Sequence, residues 1–481
     1  MNQHAVDAGR TPPSVGQRLA RLPRAATAWR QAPVTKRIAN TIFVVGAATL
    51  LLKVASAGRE LTVAYHLGTS DAIDAFVIAF LAPSFVISAP IAAFVDAVTP
   101  TFIRVREREG EAAAARLAAN ALAAALVLLL ASVLLLALLS GPIVGLLGSG
   151  FSAEKSALTL RLFHLLLPVV VLQGVCLLWG GLINCVRRFA LVALVPLATP
   201  LLSVALLLAF EERLGVDALV AGAVGGAALE LALLAAGARR LGLPCRPRWH
   251  GLDAPSRAVA GYYPAAVFGS LMSSGTMLVD QSMAAMLDPG SVARLSYGVK
   301  LIAFALSLSV TPLATAIFPH VAELLARGDR REVRRTCLGW AGLVFAIGVP
   351  TAGLIALLSA PIVRLVFERG AFTAADTAAV APILACYALQ IPFYLAGIIG
   401  ARILGALCHY RALALISTSN FVLNIVLNLL LLRLLGLPGI ALATSLVYVT
   451  SSVMIAFLVW PHLSERREGG AAPAARVPAP P

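Results

Sequence analysis

Charged residues are scarce in this sequence. Asp, Glu, Lys and Arg make up 13% of its 481 residues, whereas a soluble protein carries roughly a quarter. Hydrophobic residues make up 59%, and the mean hydropathy is +0.89. Apolar runs of about 20 residues recur from Ile38 to Trp460, each long enough to cross a hydrocarbon core of roughly 30 Å. The composition excludes a soluble globular protein and predicts an all-α membrane protein.

The motifs of several enzyme classes are also missing. The chain has no Walker loop for nucleotide phosphates, no HExxH zinc motif and no GxSxG elbow. Its six cysteines form no CxxC pair, which favours a packing role over a metal or disulfide role. The net charge of +15 comes from basic residues in short loops, not from a continuous basic stripe. We therefore expect a protein that is not an enzyme, uses no cofactor or metal and binds no nucleic acid.

The apolar runs predict about twelve transmembrane helices. Their approximate ranges are 38–58, 74–99, 117–140, 159–182, 189–210, 217–237, 258–285, 298–322, 336–359, 378–401, 412–432 and 438–460. The remaining ends are rich in Arg, Pro, Ala and Gly, and predict disordered tails over residues 1–37 and 461–481.

The basic residues predict the orientation of these spans. With the N-terminus in the cytoplasm, 28 of the 38 lysines and arginines fall on the cytoplasmic side and eight on the other side. Lys53 and Lys300 lie inside spans. We expect a multi-pass protein of the bacterial inner membrane with both termini in the cytoplasm.

Two segments of the chain resemble each other. The sequence LLSGPIV ends the third span at Val144, and LLSAPIV ends the ninth at Val363, an offset of 219 residues. Each is followed by a short stretch with Gly, Phe, a hydroxyl residue and an acid. Six spans per half place both halves in one orientation. We expect six-helix bundles over 38–237 and 258–460, joined by a cytoplasmic linker over 238–257, around a central cavity.

Ionisable residues inside the spans are the candidates for function, because charge at membrane depth is costly. Two interpretations stay open: ion pairs within the bundle, such as Arg59 with Asp74 or Lys300 with Asp280, or a water-filled cleft for an anionic substrate. The candidates are Lys53, Arg59, Asp74, Asp96, Glu230, Asp280 and Lys300.

The chain resembles the MurJ/MviN family of lipid II flippases, within the MOP exporter superfamily, over approximately 38–460. The residues that carry the resemblance are VFERGAFTAADT at 366–377, LDPGSVARLSYGVKL at 287–301, and Lys53, Gly58-Arg59-Glu60 and Asp74-Ala75-Phe76 in the first two spans. The resemblance implies that Lys53, Arg59 and Lys300 bind the pyrophosphate of a lipid-linked sugar, with Asp74 beside them. It also implies alternating access driven by an ion gradient or the membrane potential.

Three departures from the family widen the substrate class. Lys53 and Lys300 stand where the family has arginines, the second span has no cation over 84–90, and the chain has twelve spans where fourteen are common. We expect a flippase for an undecaprenyl-pyrophosphate-linked saccharide, either lipid II-like or a polysaccharide repeat unit. Membrane lipids and cell-envelope biosynthesis proteins are the expected partners.

Two other functions stay open. A cation-coupled multidrug antiporter of the MATE type would use Asp96, Glu230 or Asp280 to bind Na⁺ or a proton. A non-transporting scaffold of envelope assembly would depend on its loops and not on its intramembrane charges.

Overall fold

A computed structural model describes residues 34–307, 330–406 and 409–463 of the chain, and no strand occurs among them. Eight helices are long and apolar enough to cross a membrane, and a bent pair makes a ninth span. Three more long helices complete twelve: α1, α7 and α8. The described bounds are α1 Val34–Leu67, α2 Asp71–Glu109, α3 Glu111–Leu138, α4 Ala153–Cys185, α5 Phe189–Leu194 continuing to Ala198–Leu214, α6 Asp217–Arg240, α7 Ala254–Ala284, α8 291–307, α9 Arg330–Leu357, α10 Ala374–Ala388 with Ile391–Ala406, α11 Tyr410–Leu435 and α12 Leu437–Leu463.

The predicted fold class is confirmed: the chain is an all-α membrane protein of two parallel six-helix repeats around a central cavity. The predicted tails lie almost wholly outside the described residues, since the structure describes nothing before residue 34 or after residue 463. Between the halves, residues 241–253 form a non-helical connection.

The two repeated motifs form equivalent structures. Short helices Ser140–Leu147 and Ser359–Phe367 follow the third helix of each half. Leu139 before the first has φ −98° and ψ 12°, and Leu358 before the second has φ −94° and ψ 14°. Neither residue has helical backbone angles, so each long helix breaks at the same place. The 219-residue offset is therefore a structural repeat.

Irregular turns interrupt three of the spans where prolines remove backbone donors. In α2 the stretch Ile87–Ile91 is π-helical and contains Pro90. In α5 a 3₁₀ turn over Val195–Leu197 separates two α-helical pieces. The two pieces of α10 meet at an angle of 40°. Such breaks in a membrane helix free backbone groups and allow bending.

The connection between the halves is attached to the first half. Asn120 of α3 is 2% exposed, and its amide donates to Gly251 O at 3.0 Å and to Ser256 Oγ at 3.1 Å. His250 N–H donates to Asn120 Oδ1 at 2.7 Å. Three hydrogen bonds from one buried side chain thus fix the connection and the start of α7.

Arginines cluster at one end of the bundle, which we call the basic end. It holds the end of α2 with Arg106 and Arg108, and the end of α6 with Arg239 and Arg240. Because successive helices alternate in direction, α2, α4, α8 and α10 all begin at the opposite end. We call that opposite end the closed end, for the contacts described next.

Candidate functional site

Asp74 joins the two halves at the closed end. It lies in the first turn of α2 and is 1% exposed. Gly290 N–H and Ala293 N–H, at the start of α8, each donate to its carboxylate at 2.7 Å. Lys155 Nζ, at the start of α4, donates to Asp74 and to Asp71, both at 2.6 Å. Asp74 thus caps a helix of the other half, where an anion is favoured by the helix dipole.

A second carboxylate crosses the same interface. Asp376 begins α10 and forms a capping box with Thr373. Thr69 Oγ1, in the turn before α2, donates to Asp376 Oδ1 at 2.5 Å. Arg294 of α8 lies 3.6 Å from the same carboxylate. A carboxylate of the second half therefore contacts the turn before α2, and a carboxylate of the first half contacts the start of α8.

Backbone atoms of the two halves also touch at this end. Ala371 N–H donates to Tyr65 O at 2.7 Å, and Tyr297 Oη donates to Gly68 O at 2.9 Å. Gly68 has a φ of +54°, and a Cβ there would lie 2.6 Å from Ala371 O. A side chain at Gly68 would be strained and would clash. The closed end is sealed by direct contact.

Two of the sequence-predicted charges, Arg59 and Lys300, are brought together below this seal by an acid that the sequence analysis did not name as a candidate. Glu60 lies between the two cations: Lys300 Nζ is 2.5 Å from Glu60 Oε2, and Arg59 is 3.2 Å from Glu60 Oε1. The ring of Tyr297 lies 5.4 Å from Lys300 Nζ. Lys300 belongs to the second half and Glu60 to the first, so this ion pair also crosses the interface.

Neither ion pair considered from the sequence forms. Arg59 pairs with Glu60 and not with Asp74, whose lysine partner is Lys155. Asp280 has no cationic partner among the described residues. The adjacency of Glu60 to Arg59 in an apolar span was the signal that could have identified this acid.

Lys53 lies apart from that cluster, six residues before Arg59 on α1. It lines a cavity of about 680 Å³ and forms no ion pair with any described residue. The cavity also has Asp280 on its wall. Six residues of helix span about 9 Å, so Lys53 is within reach of a ligand that extends from the Arg59 cluster.

Asp280 is buried among neutral donors of the second half. Asn428 Nδ2 donates to Asp280 Oδ1 at 2.6 Å, Asn424 Nδ2 donates to the same oxygen at 3.0 Å, and Thr444 Oγ1 donates to Oδ2 at 3.0 Å. Asp280 is 8% exposed. Asn428 Oδ1 is buried and has no hydrogen-bond partner. Carboxylate and amide oxygens are the ligand types that hard cations bind.

The two other candidate acids lie elsewhere. Glu230 of α6 is 7% exposed and accepts a hydrogen bond from Thr199 Oγ1 at 2.6 Å. Thr199 lies in the first turn of the second α-helical piece of α5. Glu230 therefore accepts a hydrogen bond at the place where the helical hydrogen bonding of α5 is interrupted. Asp96 is exposed on α2 and makes no hydrogen bond or ion pair with described residues.

Two repeats closed over ionisable groups at membrane depth define a transporter with the fold of the MOP exporters. An inward-facing multidrug transporter of the MATE family has the same fold, with a TM-score of 0.72, 12% identity and coverage of 88% of this chain and 98% of that one. A structure of lipid II flippase MurJ in an inward closed conformation is also similar, with a TM-score of 0.73 and 19% identity, and the match covers 87% of each chain.

Sequence comparison identifies the family. A family model described as lipid II flippase MurJ matches residues 63–470. A probable lipid II flippase MurJ of Rhizobium meliloti is 27% identical over 432 residues, 86% of this chain and 79% of that relative. The lipid II flippase MurJ of Burkholderia cenocepacia is 25% identical over 388 residues, 76% of this chain and 72% of that relative. The chain belongs to the MurJ family, and it is a multi-pass inner-membrane transporter rather than an enzyme.

Proposed function

We propose that this protein moves lipid II, or another undecaprenyl-pyrophosphate-linked saccharide, across the inner membrane by alternating access. Its relatives support lipid II as the substrate. The observation that carries the proposal is the cluster of Arg59, Glu60 and Lys300, which spans the two halves directly below the closed end. The basic end is cytoplasmic in this proposal, following the distribution of arginines, and both termini lie there.

The pyrophosphate would replace Glu60 as the partner of the two cations. Glu60 forms ion pairs with both Arg59 and Lys300. A pyrophosphate carries more negative charge than one carboxylate and offers more acceptor oxygens, so it competes for both cations. Lys53 adds an unpaired charge on the cavity wall. A phosphate that leaves water needs such compensation in a low dielectric.

Substrate binding would also weaken the contact between the halves. The Lys300–Glu60 pair joins the first half to the second. Once the pyrophosphate occupies Lys300, that link is lost, and the closed end is held by the remaining contacts around Asp74 and Asp376 and by the hydrogen bonds to Tyr65 O and Gly68 O. Opening this end would then expose the substrate on the other side of the membrane.

Single alanine variants test the cation assignment. Lys53→Ala, Arg59→Ala and Lys300→Ala should each abolish growth of cells depleted of their own flippase, at normal membrane levels. Arg161→Ala is a matched control, because Arg161 pairs with Asp217 and is 56% exposed. Full activity of a triple alanine variant would contradict the assignment.

We further propose that Asp280 binds the coupling cation, with Asn424, Asn428 and Thr444 as neighbours. The buried acid without a cationic partner and the unpartnered Asn428 Oδ1 support this role. A cation that binds only the folded protein raises its Tm. NaCl should therefore raise the Tm above that in choline chloride for the parent and for Asp288→Asn, an exposed-loop control, but not for Asp280→Asn. A sodium-independent Tm of the parent would refute sodium binding.

A further inference from the structure

Glu230 is a buried acid for which the proposed function has no use. It lies near the middle of α6, about 15 Å along the helix from Arg240 at the basic end and about 20 Å from Asp217 at the closed end. It is 7% exposed, and among the described residues only Thr199 forms a hydrogen bond with it, Oγ1 donating to Glu230 Oε1 at 2.6 Å. A carboxylate at this depth is costly, so a function or a compensating charge is expected.

No cation among the described residues pairs with Glu230. Its helix packs against α4 and α5. The other charged residues of α6 lie at its two ends, those of α4 lie over 154–164 near its start, and those of α5 lie over 211–213 near its end. The titratable group near Glu230 is the Cys176 thiol of α4, which brings no positive charge. Trp179, on the same face of α4, has a buried Nε1 without a hydrogen-bond partner in the described structure. The protein therefore supplies no charge that neutralises this acid.

The hydrogen bond of Glu230 lies at the break in α5. The 3₁₀ turn Val195–Leu197 precedes Thr199, and Pro200 follows it. Proline has no N–H, so Pro200 leaves the carbonyl of Pro196 without its helical donor. The ionised acid accepts from the first turn of the second α-helical piece, where the helix dipole favours a negative charge. A protonated acid loses that charge interaction and gains an O–H that donates to a free carbonyl.

The backbones of α5 and α6 are in close contact beside this bond. A Cβ at Gly226, one turn before Glu230, would lie 2.5 Å from the Cα of Thr199. A Cβ at Gly222 would lie 2.6 Å from the Cα of Ser203. Small residues at both places let the two helices approach, which holds Glu230 against the broken part of α5.

The packing of α5 connects this bond to the substrate cations. Both α-helical pieces of α5, and the turn between them, pack against α1. That helix carries Lys53 and also Arg59 and Glu60 of the cluster that joins the two halves. A change in the bend of α5 therefore displaces the helix that holds the proposed pyrophosphate ligands.

We propose that Glu230 binds a proton, and that this proton favours opening of the closed end. A proton from water adds to one carboxylate oxygen, the bond to Thr199 weakens, and the bend of α5 changes. The proposal rests on the alternating access of the proposed function and adds a second ion, bound in the half that lacks Asp280. One carboxylate and one hydroxyl are too few oxygen ligands for a metal cation, whereas Asp280 has two asparagines beside it. The ion in the first half is therefore a proton.

Pulsed EPR on the full-length protein in nanodiscs tests the proton site. Spin labels at Glu154 and Ala375, exposed residues of the two halves at the closed end, report the ratio of open to closed protein in a cysteine-free background. The ratio is measured at about pH 5 and about pH 8, with NaCl present throughout so that only the proton concentration changes. The variants are Glu230→Gln, Thr199→Val and both together. Glu212→Gln is the control, because Glu212 is an exposed acid of α5.

Acid should raise the ratio of open to closed parent protein by about tenfold, as expected for the loss of one charge-assisted hydrogen bond. Glu230→Gln is neutral at both pH values, so its ratio at pH 8 should equal that of the parent at pH 5 and should not rise further. Thr199→Val removes the other partner of the bond, so it should also raise the ratio at pH 8, and the double variant should add nothing to either single one. Glu212→Gln should behave like the parent.

A pH dependence that Glu230→Gln retains in full, or that Glu212→Gln loses equally, would overturn the proton site. So would a parent whose ratio responds to lipid II but not to acid. Failure of the proposed alternating access looks different, because neither lipid II nor acid would then change the distances in any variant.

Discussion

Asparagine in place of Asp74 should open the closed end. The carboxylate accepts two hydrogen bonds across the interface, from Gly290 and Ala293, at 2.7 Å each. Asparagine has one acceptor oxygen, so at least one charge-assisted bond worth about 1.5–3 kcal/mol is lost and one buried N–H loses its partner at about 1–3 kcal/mol. The bond to Lys155 lies within the first half, so its loss affects open and closed conformations alike.

The sum, about 2.5–6 kcal/mol, corresponds to a shift of roughly 60-fold to 20,000-fold in the ratio of open to closed protein. Spin labels at Glu154 and Ala375, both exposed at the closed end on opposite halves, report this ratio by pulsed EPR in a cysteine-free background. Asp71→Asn is the control, because Asp71 is 58% exposed and contacts only Lys155. An unchanged distance distribution in Asp74→Asn, or an equal shift in the control, would refute the reasoning.

Three further predictions concern other contacts. Glu60→Gln should tighten binding of undecaprenyl pyrophosphate about fivefold, because removing a partly exposed competitor from Lys300 is worth about 1 kcal/mol after solvent screening; weaker binding would contradict this. Gly226→Ala should lower the free energy of unfolding by about 1–3 kcal/mol, because a Cβ there lies 2.5 Å from an α5 backbone atom. Gly225→Ala is the control, since its Cβ meets only the end of a leucine side chain. The Tm in detergent should be lower for Gly226→Ala than for Gly225→Ala. Asn120→Ala should speed hydrogen exchange over 241–253 by about tenfold or more, because three hydrogen bonds are lost.

The sequence predicted the helices well because each apolar run is long and each is bounded by charged or turn residues. It also predicted the repeat, since the motifs around Ser140 and Ser359 are similar enough to be found by eye. The short helices that these motifs form were not predicted, because a break within an apolar stretch of that length depends on packing. Both follow a leucine with non-helical backbone angles.

The site could be predicted only in part. Charge at membrane depth identified Lys300 and Asp280, but their partners depend on which helices face each other. Asp74 is paired with a lysine 81 residues away and with backbone N–H groups that leave no signature in a side-chain pattern. The neighbours of Asp280 did leave one: Asn424 and Asn428 are four residues apart, on one face of an apolar helix.

The closed end shows why two similar halves need different side chains at equivalent positions. Ser152 and Thr373 cap α4 and α10, and the third residue after each is Lys155 in one half and Asp376 in the other. Lys155 holds an acid that reaches the second half, whereas Asp376 itself reaches the first half. An acid at position 155 would place a third carboxylate beside Asp71 and Asp74. The reversal of charge gives each half one carboxylate that crosses the interface, so opening has to break both contacts together.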